Sequence, residues 1–178
     1  MITIDGGTGI ILHNGVEVAS EKMVDFWAIN ADISNSDSDS DIPGSKFTRN
    51  DKNAGASQIG TGMSVASDGT WTFPTTGKYM IVVHLNNRAN SGDNTYLGLL
   101  STTNGGTSYI ECKRFQTGSS GNDGNSHSGS GSYFVNVTDT SQVKIKFYPM
   151  SLQSGSYFEG RGSGFPMQSS ITFTRMSR

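Results

Sequence analysis

The chain is poor in the residues that build helices and covalent staples. Its 178 residues include four glutamates, six leucines, four prolines and one cysteine. Long unbranched side chains such as Leu and Glu lose least on entering a helix, so their scarcity argues against a helical protein. The single Cys112 excludes an intrachain disulfide and a cysteine-based zinc site, and reads as a small residue in or beside a strand. Charge is also sparse: 13 Lys and Arg stand against 15 Asp and Glu, for a net charge of −2 and no basic cluster. That excludes a nucleic-acid footprint. No apolar run approaches the roughly 18 residues of a membrane helix. The opening Met1-Ile2-Thr3-Ile4-Asp5-Gly6-Gly7 lacks the basic region and continuous apolar stretch of a signal peptide, so the expectation is synthesis in a cytoplasm without export.

Small, mostly polar residues fill the space. Gly, Ser, Thr and Asn make up 79 positions, about 44%. Nine Phe, six Tyr and two Trp, with the low net charge, are incompatible with full disorder. A compact all-β domain remains, long enough to bury a core.

Residues 1–22 read as a separate N-terminal arm. Ile10-Ile11-Leu12 and Val16-Glu17-Val18 flank Asn14-Gly15, a dipeptide that tolerates the positive φ of a type I′ hairpin turn. Residues 23–178 read as the main domain. Apolar or alternating runs predict strands at Met23–Ile29, Met63–Val65, Thr70–Phe73, Lys78–Leu85, Thr95–Leu100, Ser108–Phe115, Ser132–Val137, Gln142–Tyr148 and Ser170–Met176. Short strands separated by regular turn signals indicate a sandwich or jelly roll. The Gly/Ser-rich tract from Gly118 to Gly131 offers little side-chain area to bury and reads as an exposed mobile loop. In the Lys78–Leu85 strand both faces are largely apolar. Tyr79, Ile81, Val83 and Leu85 alternate with Met80, Val82 and His84, so one face would line the core and the other a covered interface, and His84 reads as a packed, hydrogen-bonded residue.

Three segments then carry a likeness. Trp71-Thr72-Phe73-Pro74-Thr75-Thr76-Gly77-Lys78-Tyr79 places aromatic, proline, glycine and aromatic in order. Tyr133-Phe134-Val135-Asn136-Val137 and Val143-Lys144-Ile145-Lys146-Phe147 flank Thr138-Asp139-Thr140. Ile171-Thr172-Phe173-Thr174 lies in the last strand, and Phe26-Trp27 supplies an aromatic first strand. This pattern resembles the TNF-like jelly-roll superfamily, in its complement globular-head branch. Without a collagen stalk or an export signal, it looks like the form carried by tailed bacteriophages. The resemblance implies a threefold assembly in which Phe26, Trp27, Trp71, Phe73, Pro74, Gly77, Tyr79, Phe134, Phe147 and Phe173 serve the core or the trimer seam.

Positive evidence for catalysis is missing. His13, His84 and His127 have no metal-like spacing, and no Gly-x-Ser-x-Gly elbow or phosphate-cradling glycine loop occurs. Asp37, Asp39 and Asp41 alternate, and spaced carboxylates suit Ca²⁺. An EF-hand would need Gly and Glu where Ile42 and Thr48 stand, so the retained reading is a solvated acidic loop with Ca²⁺ as the alternative. Tyr157-Phe158, beside the near-loop aromatics Tyr96, Tyr109 and Phe165, is the pair marked as candidate partner contacts.

The expectation is therefore a non-enzymatic phage virion protein without cofactor. It would be a trimeric capsid decoration or head/tail fibre component, made in the host cytoplasm, with an arm that docks it to other virion proteins or locks neighbouring subunits together. A receptor- or glycan-binding module at a fibre tip, recognising a host-surface glycan, is the alternative.

Overall fold

The computed structural model describes residues 2–4, 11–13, 16–17, 22–49, 57–90, 93–118, 126–160 and 168–177. Near the N-terminus, β1 (Ile2–Ile4), β2 (Ile11–His13) and β3 (Val16–Glu17) form an antiparallel three-stranded sheet of their own. The Asn14-Gly15 turn itself lies outside the described residues, as do Phe165 and residues 119–125 of the Gly/Ser tract.

Thirteen further strands build the sandwich. They are β4 (Met23–Ile29), β5 (Ile33–Ser34), β6 (Phe47–Arg49), β7 (Gln58–Ile59), β8 (Ser64–Val65), β9 (Trp71–Thr72), β10 (Gly77–Arg88), β11 (Asn94–Thr102), β12 (Ile110–Gly118), β13 (Ser126–Val137), β14 (Lys144–Met150), β15 (Tyr157–Phe158) and β16 (Ser170–Ser177). No α-helix occurs among the described residues. The first sheet has β13, β10, β16 and β4 side by side, with β6 and β7 beyond β4 and the short β15 and β5 beside the end of β10. The second runs β12-β11-β14-β9-β8. The pairs β4 with β16, β9 with β14, β10 with β13 and β11 with β12 are nested in the chain and alternate between the sheets. A single long antiparallel ribbon wound in this way is a jelly roll.

Aromatic side chains fill the space between the sheets. Trp71, fully buried, meets Trp27 edge-on at 4.9 Å, Phe47 at 5.0 Å, Phe173 at 5.0 Å and Phe147 at 6.1 Å. These partners come from β4, β6, β16 and β14, so one indole ties both sheets together. Edge-to-face contacts at such distances add to area burial. Phe73 packs on Tyr79 at 4.8 Å, and the Tyr79 hydroxyl donates to the Thr75 carbonyl at 2.9 Å. Pro74 stops β9 and Gly77 opens β10 at φ 142°, a conformation that L side chains rarely adopt.

One charge pair is enclosed with the aromatics. Asp25, wholly buried, accepts from Arg49 Nε at 2.8 Å, from Arg49 Nη2 at 3.0 Å and from the Met63 backbone N–H at 2.6 Å. The Arg49 guanidinium lies 4.3 Å from the Trp27 ring centroid. Three donors and a cation on an aromatic face make a buried carboxylate tolerable.

The structure corrects the reading of the Gly/Ser tract. Residues 126–131, expected in a loop, belong to β13, which pairs with β10 residue for residue from Gly77↔Val137 to Arg88↔Ser126. Period-two alternation explains it. Ser126, Ser128, Ser130 and Ser132 face out, while Gly129 and Gly131 face β12. A Cβ at Gly131 would lie 2.9 Å from the Phe115 ring, and one at Gly129 would lie 3.0 Å from the Gln116 carbonyl oxygen. The glycines let β12 of the second sheet close over β13.

Two substitutions test this core. Trp71→Ala is expected to lower unfolding free energy by about 3–5 kcal/mol in a denaturant titration. Asp25→Ala, which leaves the buried Met63 N–H and the one-third-exposed Arg49 guanidinium without their acceptor, is expected to cost about 1–3 kcal/mol. A loss below about 1 kcal/mol for either would contradict the role given to it.

Candidate functional site

The outward face of the first sheet carries exposed apolar side chains, although Ala28 on it is wholly buried. β10 alternates strictly, with Tyr79, Ile81, Val83, Leu85 and Asn87 buried, and Lys78, Met80, Val82, His84, Asn86 and Arg88 facing away from the core. Strand register extends the outward residues into rows. One row crosses five strands as Ile59–Val24–Thr174–Met80–Phe134. The next runs Phe26–Thr172–Val82–Ser132, and the third Ala28–Ser170–His84–Ser130. Directly opposed side chains on one face of an antiparallel pair lie close enough to touch.

The face is divided. At one end are the large apolar side chains, with Phe134 62% exposed, Ile59 55% and Met176 54%. At the other lie hydroxyls and amides. There Glu159, buried, accepts from Ser126 Oγ at 2.9 Å and also from Asn86 Nδ2. Arg88 Nη1 donates to the Tyr157 hydroxyl at 3.4 Å.

Several sequence expectations meet this geometry. Trp27, Trp71, Phe73, Tyr79, Phe147 and Phe173 lie in the core, Gly77 is buried and Pro74 half-buried. Phe26 and Phe134 are not core residues but belong to the outward face, because their register parity points them outward. His84, expected to be packed, is exposed in the middle of that face. Phe158 is wholly buried, so its ring is not presented to a partner, while Tyr157 is half-buried. The run Tyr157-Phe158 crosses from surface to core in one residue because it is a strand. Sequence reasoning missed Val24, Ile59 and Met176. Ile59 and Met176 stand among polar neighbours, and only the strand register brings Ile59 into line with Val24.

The alternating aspartates go to separate partners. Asp37 Oδ2 accepts from the Ser34 backbone N–H at 2.9 Å and lies 3.4 Å from Lys46 Nζ. Asp39 Oδ1 accepts from the Ser151 backbone N–H at 3.3 Å, and Asp41 Oδ2 lies 2.7 Å from Lys146 Nζ. Among the described residues no three His, Cys, Asp or Glu side chains come together to hold a metal ion. Lys146 also reaches Asp68 at 3.3 Å and the Tyr109 ring at 5.2 Å. Burial alone would lower the Lys146 pKa, but Asp41 and Asp68 outweigh it and raise it. Asp68 is held below the ordinary carboxylate value of 3.8, first by the Thr70 backbone N–H, then by the Thr70 hydroxyl, with Lys146 adding to both.

No family model and no curated protein sequence matches the chain. Solved structures do resemble it. Eiger TNF from S. frugiperda aligns at TM-score 0.63 and 10% identity over 89% of this chain and 94% of that one. Murine APRIL at pH 8.0 aligns at TM-score 0.56 and 10% identity over 87% of this chain and 99% of that one. The globular domain of zebrafish complement 1qA is 18% identical over 86% of this chain and 94% of that one, at TM-score 0.45. The fold is thus a TNF-type jelly roll, shared at identities where only architecture persists.

The Asp68 assignment gives a pH test. A carboxyl with a depressed folded-state pKa stabilises the fold above its unfolded pKa, and that contribution is lost as pH falls through the folded value. The Asp68 carboxyl resonance is expected to titrate below 3.8, and Thr70→Val should move its midpoint upward. An unmoved midpoint would remove the Thr70 hydroxyl as a cause, leaving its backbone N–H.

Proposed function

We propose that this chain is a non-enzymatic structural domain that works as a homotrimer, assembled through the outward face of its first sheet. The observation that carries the reading is the row from Ile59 to Phe134 on the outward face of the first sheet, whose end residues are 55% and 62% exposed. Exposed apolar patches of this kind mark interaction surfaces. Burying a phenylalanine side chain contributes about 1.5–3 kcal/mol, and every copy in a closed ring contributes its own. The edge of the sheet supports the same reading. β13 is 12 residues long, carries no Lys, Arg, Asp or Glu, and pairs only with β10 among the described residues. A long, uncharged edge invites pairing with other chains unless something covers it. A second copy would do so, and the TNF-like resemblance implies that the closure is threefold.

The wider setting rests on composition and resemblance. A Ser/Thr/Asn/Gly-rich jelly roll with an N-terminal arm suits a capsid decoration or head/tail fibre component of a tailed phage. In that role residues 1–22 would dock to other virion proteins, and assembly would follow synthesis in the host cytoplasm.

Light scattering on the folded protein tests the assembly. The expected mass is about 57 kDa, three times the 19.0 kDa chain. Phe134→Glu, which puts a charge into the apolar row, is expected to give a monomer with unchanged near-ultraviolet circular dichroism. A folded wild-type monomer, or a Phe134→Glu trimer as tight as wild type, would refute the proposal.

A further inference from the structure

A different surface feature lies at the hairpin that joins two strands of the second sheet. Ser101, Thr102, Thr103, Asn104, Ser108 and Ile110, all from β11, β12 and the turn between them, line a recess of about 90 Å³. The hairpin is pinned from within. Thr102 Oγ1 donates to Asn104 Oδ1 at 2.6 Å, and the Ser108 backbone N–H donates to the same oxygen at 3.2 Å. Asn104 Nδ2 donates in turn to Ser108 Oγ at 2.9 Å. The Gly105 N–H donates to the Gln142 carbonyl at 3.0 Å, and Gly105 and Gly106 supply positive φ values of 73° and 100°. This network fixes the directions of the polar groups it leaves over. Among the described residues, one Asn104 Nδ2 proton, the Ser108 hydroxyl proton and the whole Thr103 hydroxyl have no partner. All three side chains are exposed, and beside them Ile110 is 69% exposed. The lining is thus hydroxyl and amide with a single apolar wall.

We propose that this recess binds the non-reducing end of a neutral saccharide. None of the lining side chains is charged, so a phosphate, a carboxylate or a metal ion would meet no counter-charge there. The charged side chains that adjoin the hairpin are engaged elsewhere. Lys144 Nζ donates to the Thr140 carbonyl at 2.7 Å, Lys146 Nζ lies 2.7 Å from Asp41, and Glu111 accepts from Arg114 Nη2 at 2.9 Å. What remains is a set of fixed, uncharged hydrogen-bonding groups beside an aliphatic side chain. A pyranose ring complements both parts. Its adjacent hydroxyls donate and accept at once, and its C–H face is apolar. A few placed polar groups beside apolar contact area are what orients a small ligand. The size sets how much enters. A volume of 90 Å³ is small beside the several hundred of an enclosed ligand pocket, so one edge of a ring is seated while the rest stays in water. That geometry suits a chain terminus and weak binding. At ordinary ligand efficiency, about a dozen non-hydrogen atoms correspond to a Kd of ~1–10 mM. All six lining residues belong to one chain, so the site does not rest on self-association.

Amide chemical shifts of the full chain, followed while methyl pyranosides of glucose, galactose, mannose, fucose and N-acetylglucosamine are added, test this. At least one probe is expected to give saturable shifts confined to residues 101–110, with a Kd of ~1–10 mM. The disaccharide that extends this probe from its reducing end is expected to bind at least as tightly. Thr103→Val removes the unpartnered hydroxyl, and Ile110→Ser removes the apolar wall. Both side chains are exposed, so each variant is expected to keep the wild-type spectrum away from the hairpin. Each is expected to weaken binding about 3–10-fold. The proposal is overturned if no probe gives a saturable shift by about 50 mM. It is equally overturned if glycerol produces the same shifts, if extension abolishes binding, or if both variants bind as tightly as wild type.

Discussion

Everything in this sandwich is arranged around the burial of Trp71. The indole belongs to the second sheet through β9, yet its ring is packed by Trp27 and Phe173 from the first sheet, by Phe147 from its own, and by Phe47 from β6. A ring that large leaves a cavity costing several kcal/mol if removed, so the sheets hold their spacing around it. The neighbouring constraints serve the same centre. Arg49 covers the Trp27 face while neutralising Asp25, and Pro74 with Gly77 turns the chain from the sheet of Trp71 into the sheet of Tyr79. The nested strand order then closes the ribbon around this core.

Closing the core leaves the first sheet with a second face of different character. Its apolar end is drawn from five strands that are far apart in the chain, and its polar end from the serines of β13, from His84 and Asn86, and from Glu159.

Much of the fold was legible. Trp71-Thr72-Phe73-Pro74 followed by Gly77 and the Tyr79–Leu85 alternation specifies a stopped strand, a turn and a long core strand, and each step has a local cause. In the glycine-serine tract, composition hides the alternation. Ser outward and Gly inward is a strand pattern only when another strand crosses the glycines closely, and Phe115 lies twelve or more residues away in sequence. Apolar neighbours along the chain suggest a packed His84, but strand parity turns it outward. Between Gly155 and Gly160, Phe158 is open to a core or a partner-contact reading, and β15, pairing with both β10 and β5, carries it into the core.

The amino-acid sequence by itself determined the all-β class, the aromatic core and the main strands, since alternation, turn residues and propensity act over a few neighbours. Only the tertiary structure decided which residues share the outward face of the first sheet. Ile59, Val24, Met80 and Phe134 are far from one another along the chain, and register alone aligns them. Register is a long-range property, set by which strands pair and how the core packs, so no local window of sequence contains it.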